Sequence, residues 1–270
     1  MKYLTIPPPD SLKPFVRCFW VLEHDFGAGE SSYVYRSIAD SCVEMVFHYR
    51  AGFNELGYSG QPRNWLSGIH FQTDRYTRFE AKESFGIFGV YIYPFAVPLL
   101  FNVPSEKTSN ELLDLDTFFG LAGRELQERM MIAPDNETRV TILSNFLEKC
   151  LSQARIRDNT IAAAIKHVIH AKQVGTVGEL AETFNLSTRQ FDRKFKEYAG
   201  FSPKTYLRLV RLNNAIKGHK TNKSLTQIAY ECGYYDQSHF IHDVKAFTGY
   251  HPGFYFSGKA EGTEYLYITD

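Results

Sequence analysis

Two sets of polar side chains in the C-terminal third of the sequence have the types and spacing to hydrogen-bond with nucleic-acid bases. Arg189 and Arg193 are four residues apart, so they would share one face of a helix. Gln237 and His242 belong to a second set, and His242 follows Arg193 by 49 residues. Arginine suits the edge of guanine, and glutamine suits the edge of adenine. For either set alone, the alternative is the solvated face of an ordinary helix.

These polar sets belong to a segment that occurs twice. Residues 180–203 read LAETFNLSTRQFDRKFKEYAGFSP, and residues 228–252 read IAYECGYYDQSHFIHDVKAFTGYHP. The copies begin 48 residues apart, whereas Phe191 and Phe240 are 49 apart, so the second copy has one extra residue in its turn. A repeat of this kind indicates a duplicated supersecondary unit. The duplication favours a paired binding function over two unrelated solvated faces.

Each copy predicts a short helix, a tight turn and a longer helix. Ser187 and Asp236 stand where the longer helices need a side-chain oxygen to accept hydrogen bonds from free backbone amides. Gly200 and Gly249 are expected to end these helices, and Gly233 to form the second turn. The apolar stripes at helical spacing are Phe191, Phe195 and Tyr198, then Phe240, Val244 and Phe247.

With these motifs, residues 159–256 resemble the DNA-binding domain of the AraC/XylS family of bacterial transcription regulators. The family pattern is two helix-turn-helix units joined by a long helix, the second ending near Gly-x-x-Pro, as residues 249–252 do. The resemblance places the units at about 177–199 and 225–248. Val244 and His242 depart from the Phe and the basic residue that are common in relatives. The predicted DNA contacts are Thr188, Arg189, Asp192, Arg193 and Lys196, with Gln237, Ser238, His242 and Lys245.

The distribution of charge supports this expectation, although the formal net charge of the chain is zero. Residues 159–256 carry 13 Lys and Arg against 7 Asp and Glu, whereas residues 1–158 carry 16 against 20. A basic segment fused to an acidic body is typical of an attached DNA-binding domain.

Residues 1–110 predict a β-rich domain. The run FVRCFWVL and the alternation in CVEMVFHY indicate strands, and Gly and Pro separate further short ones. Several short strands with turns between them are typical of a sandwich or a barrel. This part resembles the sensing half of the same family, a cupin-like barrel. The expected fold class is therefore α+β: an N-terminal β-barrel with helices, followed by an all-α domain. Residues 111–157 predict helices that either pack on the barrel or form a dimer interface, and residues 257–270 form a tail.

The N-terminal domain offers a candidate small-molecule pocket but no metal site. Metal-binding cupins need a His-x-His pair with a Glu and a third His, and the histidines here are isolated. The four cysteines are far apart, without a CxxC pair, so neither a zinc site nor a redox pair is indicated, and no cofactor is expected. The candidate ligand-binding residues are Trp20, Arg36, Glu44, Trp65, His70, Tyr91 and Tyr93.

The sequence thus predicts a regulator without enzymatic activity, in which a β-rich sensor controls a helical DNA-binding domain. The resemblance implies promoter or operator DNA, a small-molecule effector and RNA polymerase as partners, and a homodimer. No signal peptide or membrane span is recognisable, so the expected location is the cytoplasm. The alternative is a cupin-like enzyme carrying a DNA-binding appendage. An alkyl-transfer repair protein would need clustered reactive cysteines, which this sequence lacks.

Overall fold

The computed structural model describes residues 1–56, 63–154, 159–171, 175–218 and 223–263. The predicted tail at 257–270 lies partly outside these residues. In the described N-terminal part, the strands are β1 (Lys2–Ile6), β2 (Val16–His24), β3 (Tyr33–Ser37), β4 (Val43–His48), β5 (Phe53–Glu55), β6 (Arg63–Trp65), β7 (Ser67–His70), β8 (Thr77–Ala81), β9 (Phe85–Ile92) and β10 (Leu112–Asp114).

The strands form two antiparallel sheets, with the orders β1-β2-β9-β4-β7-β10 and β3-β8-β5-β6. One face of each sheet packs against the other around an aromatic core that includes Trp20, Phe53 and Phe79. Of the sandwich and the barrel that the sequence allows, the described residues form a sandwich, because no ladder joins the two sheets into a closed barrel. Within residues 111–157, β10 pairs with β7 before the helices begin.

Helices cover the outer face of the larger sheet and then form the C-terminal half. They are α1 (Val97–Leu100), α2 (Leu115–Phe119), α3 (Leu121–Ile132), α4 (Asn136–Ser152), α5 (Asn159–His170), α6 (Val177–Thr183), α7 (Thr188–Ala199), α8 (Pro203–Gly218), α9 (Leu225–Glu231), α10 (Gln237–Thr248) and α11 (Pro252–Tyr255). Short 3-10 turns lie at Pro94–Ala96 and Ser105–Lys107. The α+β fold class predicted from the sequence is confirmed.

The two copies of the repeat fold alike: α6 and α7 form the first unit, and α9 and α10 form the second unit. The Ser187 hydroxyl accepts a hydrogen bond from the Gln190 amide, and the Asp236 carboxylate accepts one from the His239 amide. Gly200 and Gly249 end α7 and α10 in the left-handed conformation, with φ of +85° and +79°. The predicted N-caps and C-terminal stops are confirmed, because each depends only on local sequence.

The N-terminal domain contacts both units at the equivalent place, the C-terminal end of the longer helix. The Ser109 hydroxyl donates to the Gly200 carbonyl at 2.9 Å. The Arg36 guanidinium donates to the Thr248 carbonyl at 3.2 Å and lies over the Tyr250 ring. A cation at the carboxyl end of α10 also interacts favourably with the helix dipole. Both α7 and α10 are therefore held at one end by the same domain.

Candidate nucleic-acid interface

A buried aromatic stripe on one side of α7 determines which side of the helix faces outward. Phe191 and Phe195 are fully buried with ring centroids 5.4 Å apart, which fixes the rotation of the helix. Capping by Ser187 fixes where the helix begins. As a result, the predicted contact residues of the first unit are all exposed: Thr188, Arg189, Asp192, Arg193 and Lys196.

The second unit presents α10 in the same manner over Phe240, Val244 and Phe247. The predicted contacts Ser238, His242 and Lys245 are exposed, whereas Gln237 is half-buried. The Gln237 carbonyl oxygen accepts a hydrogen bond from the Thr226 hydroxyl at 3.2 Å, so its side chain is already oriented. The second face thus carries fewer cationic groups than the first.

Sequence reasoning missed Tyr235, whose side chain is 87% exposed in the turn just before α10. Its neighbour Tyr234 is buried against Phe240, with ring centroids 5.2 Å apart. The sequence feature that could have indicated this residue is the Tyr-Tyr pair at the turn, because two adjacent side chains in a tight turn do not both point into the core. An exposed tyrosine hydroxyl next to α10 is suited to hydrogen-bonding with a phosphate.

Two arginines on the connecting helix α8 hold the second unit rather than facing solvent. The Arg208 guanidinium binds the buried Asp243 carboxylate, with Nη2 and Oδ1 2.7 Å apart. Arg211 donates to the Gly233 carbonyl at 3.3 Å and lies over the Tyr234 ring. Both arginines are therefore used in packing the second unit. Lys204 on the same helix is exposed.

Four of the predicted ligand-binding residues line one cavity of about 20 Å³ between the two sheets: Trp20, Glu44, Trp65 and His70. Sequence reasoning missed His48, Phe53 and Phe79, which line it too. Burial and the nearby Asp40 raise the pKa of the Glu44 carboxyl to about 7. Burial lowers the pKa of the His48 and the His70 imidazoles to about 4, so both rings are neutral at pH 7.

The other three predicted pocket residues do not line this cavity. Tyr91 lies behind Trp20, with ring centroids 5.9 Å apart. Tyr93 lines a separate cleft of about 160 Å³ between the β domain and helices α5 and α8. Arg36 points to the C-terminal domain, because side chains alternate along a strand and its neighbours Tyr35 and Ser37 face the cavity. Sequence alternation alone does not tell which face of β3 is internal.

Within the described residues, the structure shows neither a cluster of metal-ligating side chains nor a helix long and apolar enough to cross a membrane.

Residues 180–258 match a family described as a helix-turn-helix domain, and residues 4–114 match a domain of unknown function. The chain is 41% identical over 63 residues to the HTH-type transcriptional activator RhaS of Enterobacter sp. (strain 638) and to that of Salmonella arizonae. That stretch is 23% of this chain and spans only 22% of the length of these relatives.

Among solved structures, ToxT from Vibrio cholerae O395 is 15% identical with a TM-score of 0.47, covering 88% of this chain and 97% of ToxT. An AraC-type regulator from Chromobacterium violaceum is 28% identical with a TM-score of 0.34, covering 38% of this chain and 93% of that protein.

Proposed function

We propose that this chain, which carries a helix-turn-helix domain of the AraC type, is a transcription regulator that binds promoter or operator DNA in a sequence-specific way. The observation that carries the proposal is the pair of capped helices, α7 and α10, with polar outer faces over fully buried aromatic stripes. The excess of Lys and Arg in residues 159–256 supplies the attraction to phosphate.

In this mechanism, α7 and α10 enter successive major grooves on one side of the duplex, with their amino-terminal halves against the base edges. Arg189, Arg193 and the exposed Ser238 and His242 are the proposed base contacts. Lys196 and Lys245 lie further along the helices and are proposed to hold phosphates, which sets the register of the protein on DNA.

The same proposal assigns the N-terminal domain to sensing a small molecule and leaves the chain without enzymatic activity. A strand shared by two sites supports the sensing role, since β3 lines the inner cavity with Tyr35 and Ser37 and holds α10 with Arg36. The proposed setting is the bacterial cytoplasm, with RNA polymerase as the further partner at the promoter.

A homodimer belongs to this proposal, with α3 as its interface. Leu121 and Ile132 on α3 are 73% and 81% exposed, an unusual placement for two large apolar side chains. Sedimentation of the full chain should show a dimer that the change Ile132→Glu converts to a monomer. A wild-type chain that sediments as a monomer at all concentrations would contradict the interface.

Binding-site selection on the full chain tests the function itself. We expect an enriched sequence motif with two half-sites, and a logarithm of affinity that falls linearly with the logarithm of salt concentration, because bound cations are released from phosphates. Selection that enriches no motif, or binding that ignores salt, would refute the proposal.

Replacing Arg193 by alanine separates base contact from phosphate contact. If the guanidinium pairs with a guanine, the loss is about 1–3 kcal/mol of binding free energy and a relaxed preference at one base position. The matched control is Lys204→Ala, because Lys204 is an exposed cation on α8 and lies outside the outward faces of α7 and α10. Selection should return an unchanged motif for Lys204→Ala; an unchanged motif for Arg193→Ala would show that α7 presents another face.

A further inference from the structure

We infer that the inner cavity between the two sheets binds an uncharged aromatic alcohol, of which phenol is the simplest member. This inference rests on the proposed sensing function of the N-terminal domain and specifies the chemical class of its ligand. It is carried by three buried polar atoms on side chains that line one aromatic cavity: Trp20 Nε1, Trp65 Nε1 and His48 Nε2.

None of these three atoms has a hydrogen-bond partner among the described residues. Their side chains are almost fully enclosed, with exposed fractions of 3% for Trp20, 1% for His48 and 4% for Trp65. A buried polar atom without a partner costs about 1–3 kcal/mol, so three of them around one cavity indicate a site that awaits a polar group.

The protonation of His48 decides which groups the cavity offers. His48 Nδ1 lies 3.1 Å from the Leu66 carbonyl oxygen, so this nitrogen carries the proton and donates it. Since the ring is neutral, Nε2 presents a lone pair and can only accept. The cavity therefore offers two indole N–H donors and one imidazole acceptor.

A hydroxyl group has the complementary pattern, because its oxygen accepts two hydrogen bonds while its proton is donated once. The rest of the lining selects a flat apolar body for the ligand, since rings of Tyr35, Phe53 and Phe79 surround the polar atoms. An aromatic alcohol combines the two requirements.

The charge of the lining excludes an organic anion. Among the described residues, no Lys or Arg lines the cavity, so a carboxylate would have no cationic partner there, and Glu44 in its ionised form would repel it. His70, the second histidine, is neutral as well and lies 3.5 Å from the Ser37 hydroxyl. A buried carboxylate without a cationic partner would bear a large desolvation penalty.

Two glycines leave space for the indoles that supply the donors. A Cβ on Gly89 would lie 2.6 Å from Trp20 Nε1, and one on Gly68 would lie 2.8 Å from Trp65 Nε1. Any other residue would push an indole out of its place against the larger sheet. The two N–H groups are thus positioned by the backbone of β7 and β9.

At about 20 Å³ the cavity holds roughly one water molecule, so a ring must displace part of the lining. Phe53 and Trp65 face each other across the short strands β5 and β6. Among the described residues, this strand pair is joined to β8 through Asn54↔Glu80, Glu55↔Phe79 and the Leu56 amide on the Arg78 carbonyl. These are fewer pairs than β3 forms with β8, so this wall can move outward with less loss of backbone pairing.

Calorimetric titration of the full chain with phenol, benzoate and toluene at one pH tests the inference. We expect saturable binding of phenol at one site, weaker binding of toluene and no binding of benzoate. The chain has two tryptophans, and both line the cavity, so phenol should also shift its intrinsic fluorescence. His48→Phe should weaken the binding of phenol by about three- to tenfold, because one hydrogen bond is lost, and should leave the binding of toluene unchanged.

His170→Phe is the matched control, since His170 lies in the other cleft, and it should bind phenol like the wild type. If His48→Phe does not fold, Trp65→Phe keeps a ring and removes one donor, with the same expected loss. Absence of phenol binding, equal binding of benzoate, or a cavity that holds water alone would overturn the inference. DNA binding measured on the same preparation separates this failure from failure of the proposed function.

Discussion

Replacing Phe240 by alanine is expected to unfold the second unit while the first unit stays folded. Phe240 is fully buried at the centre of a cluster with Tyr234 and Phe256. Truncating a buried phenylalanine costs about 3–5 kcal/mol, which is comparable with the stability of a small helical unit. Phe191 and Phe195 of the first unit belong to a different cluster, continuous with the N-terminal domain, so its packing is not touched.

Hydrogen exchange and DNA footprinting measure this outcome. Amides of α9 and α10 should lose protection while those of α7 keep it, and the footprint should shrink to one half-site. Tyr235→Ala is the control, because this neighbouring ring is exposed and its loss should leave the stability of the second unit unchanged. Simultaneous loss of protection in both units would show that they fold as one.

Replacing Glu44 by glutamine is expected to stabilise the protein by about 2–3 kcal/mol above pH 7 and to have little effect at pH 4. The pKa of this carboxyl is raised from 4.5 to about 7 in the folded chain, mainly by burial. The folded chain favours the neutral form of this carboxyl. The stability that the neutral form contributes is complete below about pH 4.5 and is lost as the pH rises through 7. Glutamine resembles the neutral acid and does not ionise.

Denaturant unfolding of both proteins from pH 4 to pH 8 provides the measurement. The difference in unfolding free energy isolates Glu44, since the buried histidines titrate in both proteins. Their lowered pKa values of about 4 make both proteins less stable as the pH falls below 6.5. Glu83→Gln, at an exposed position, should show no such pH-dependent difference. A constant difference at all pH values would mean that Glu44 is not ionising in this range.

The features that the sequence predicted well are those set within a few residues of the chain. Ser187 and Asp236 cap their helices because a side-chain oxygen next to free amides needs no distant partner. Gly200 and Gly249 end the same helices because the left-handed conformation is open to glycine. Helical spacing then placed the polar faces of α7 and α10 outward.

The features that the sequence did not predict depend on residues far apart in the chain. Arg208 binds Asp243, which lies 35 residues further along the chain. The sheets remain separate because pairing at their edges depends on which strands become neighbours, and short strands such as β5 carry little of that information. His48 was not among the candidate ligand-binding residues, because its place in the cavity depends on neighbours that are distant in the sequence.

The contacts at Gly200 and Thr248 have a consequence for how an effector would act. The N-terminal domain contacts the carboxyl end of both α7 and α10. A rearrangement within this domain that moves one contact relative to the other would therefore change the position and rotation of α10 relative to α7. The response would then be a change in the preferred number of base pairs between half-sites, with the bases preferred inside each half-site unchanged.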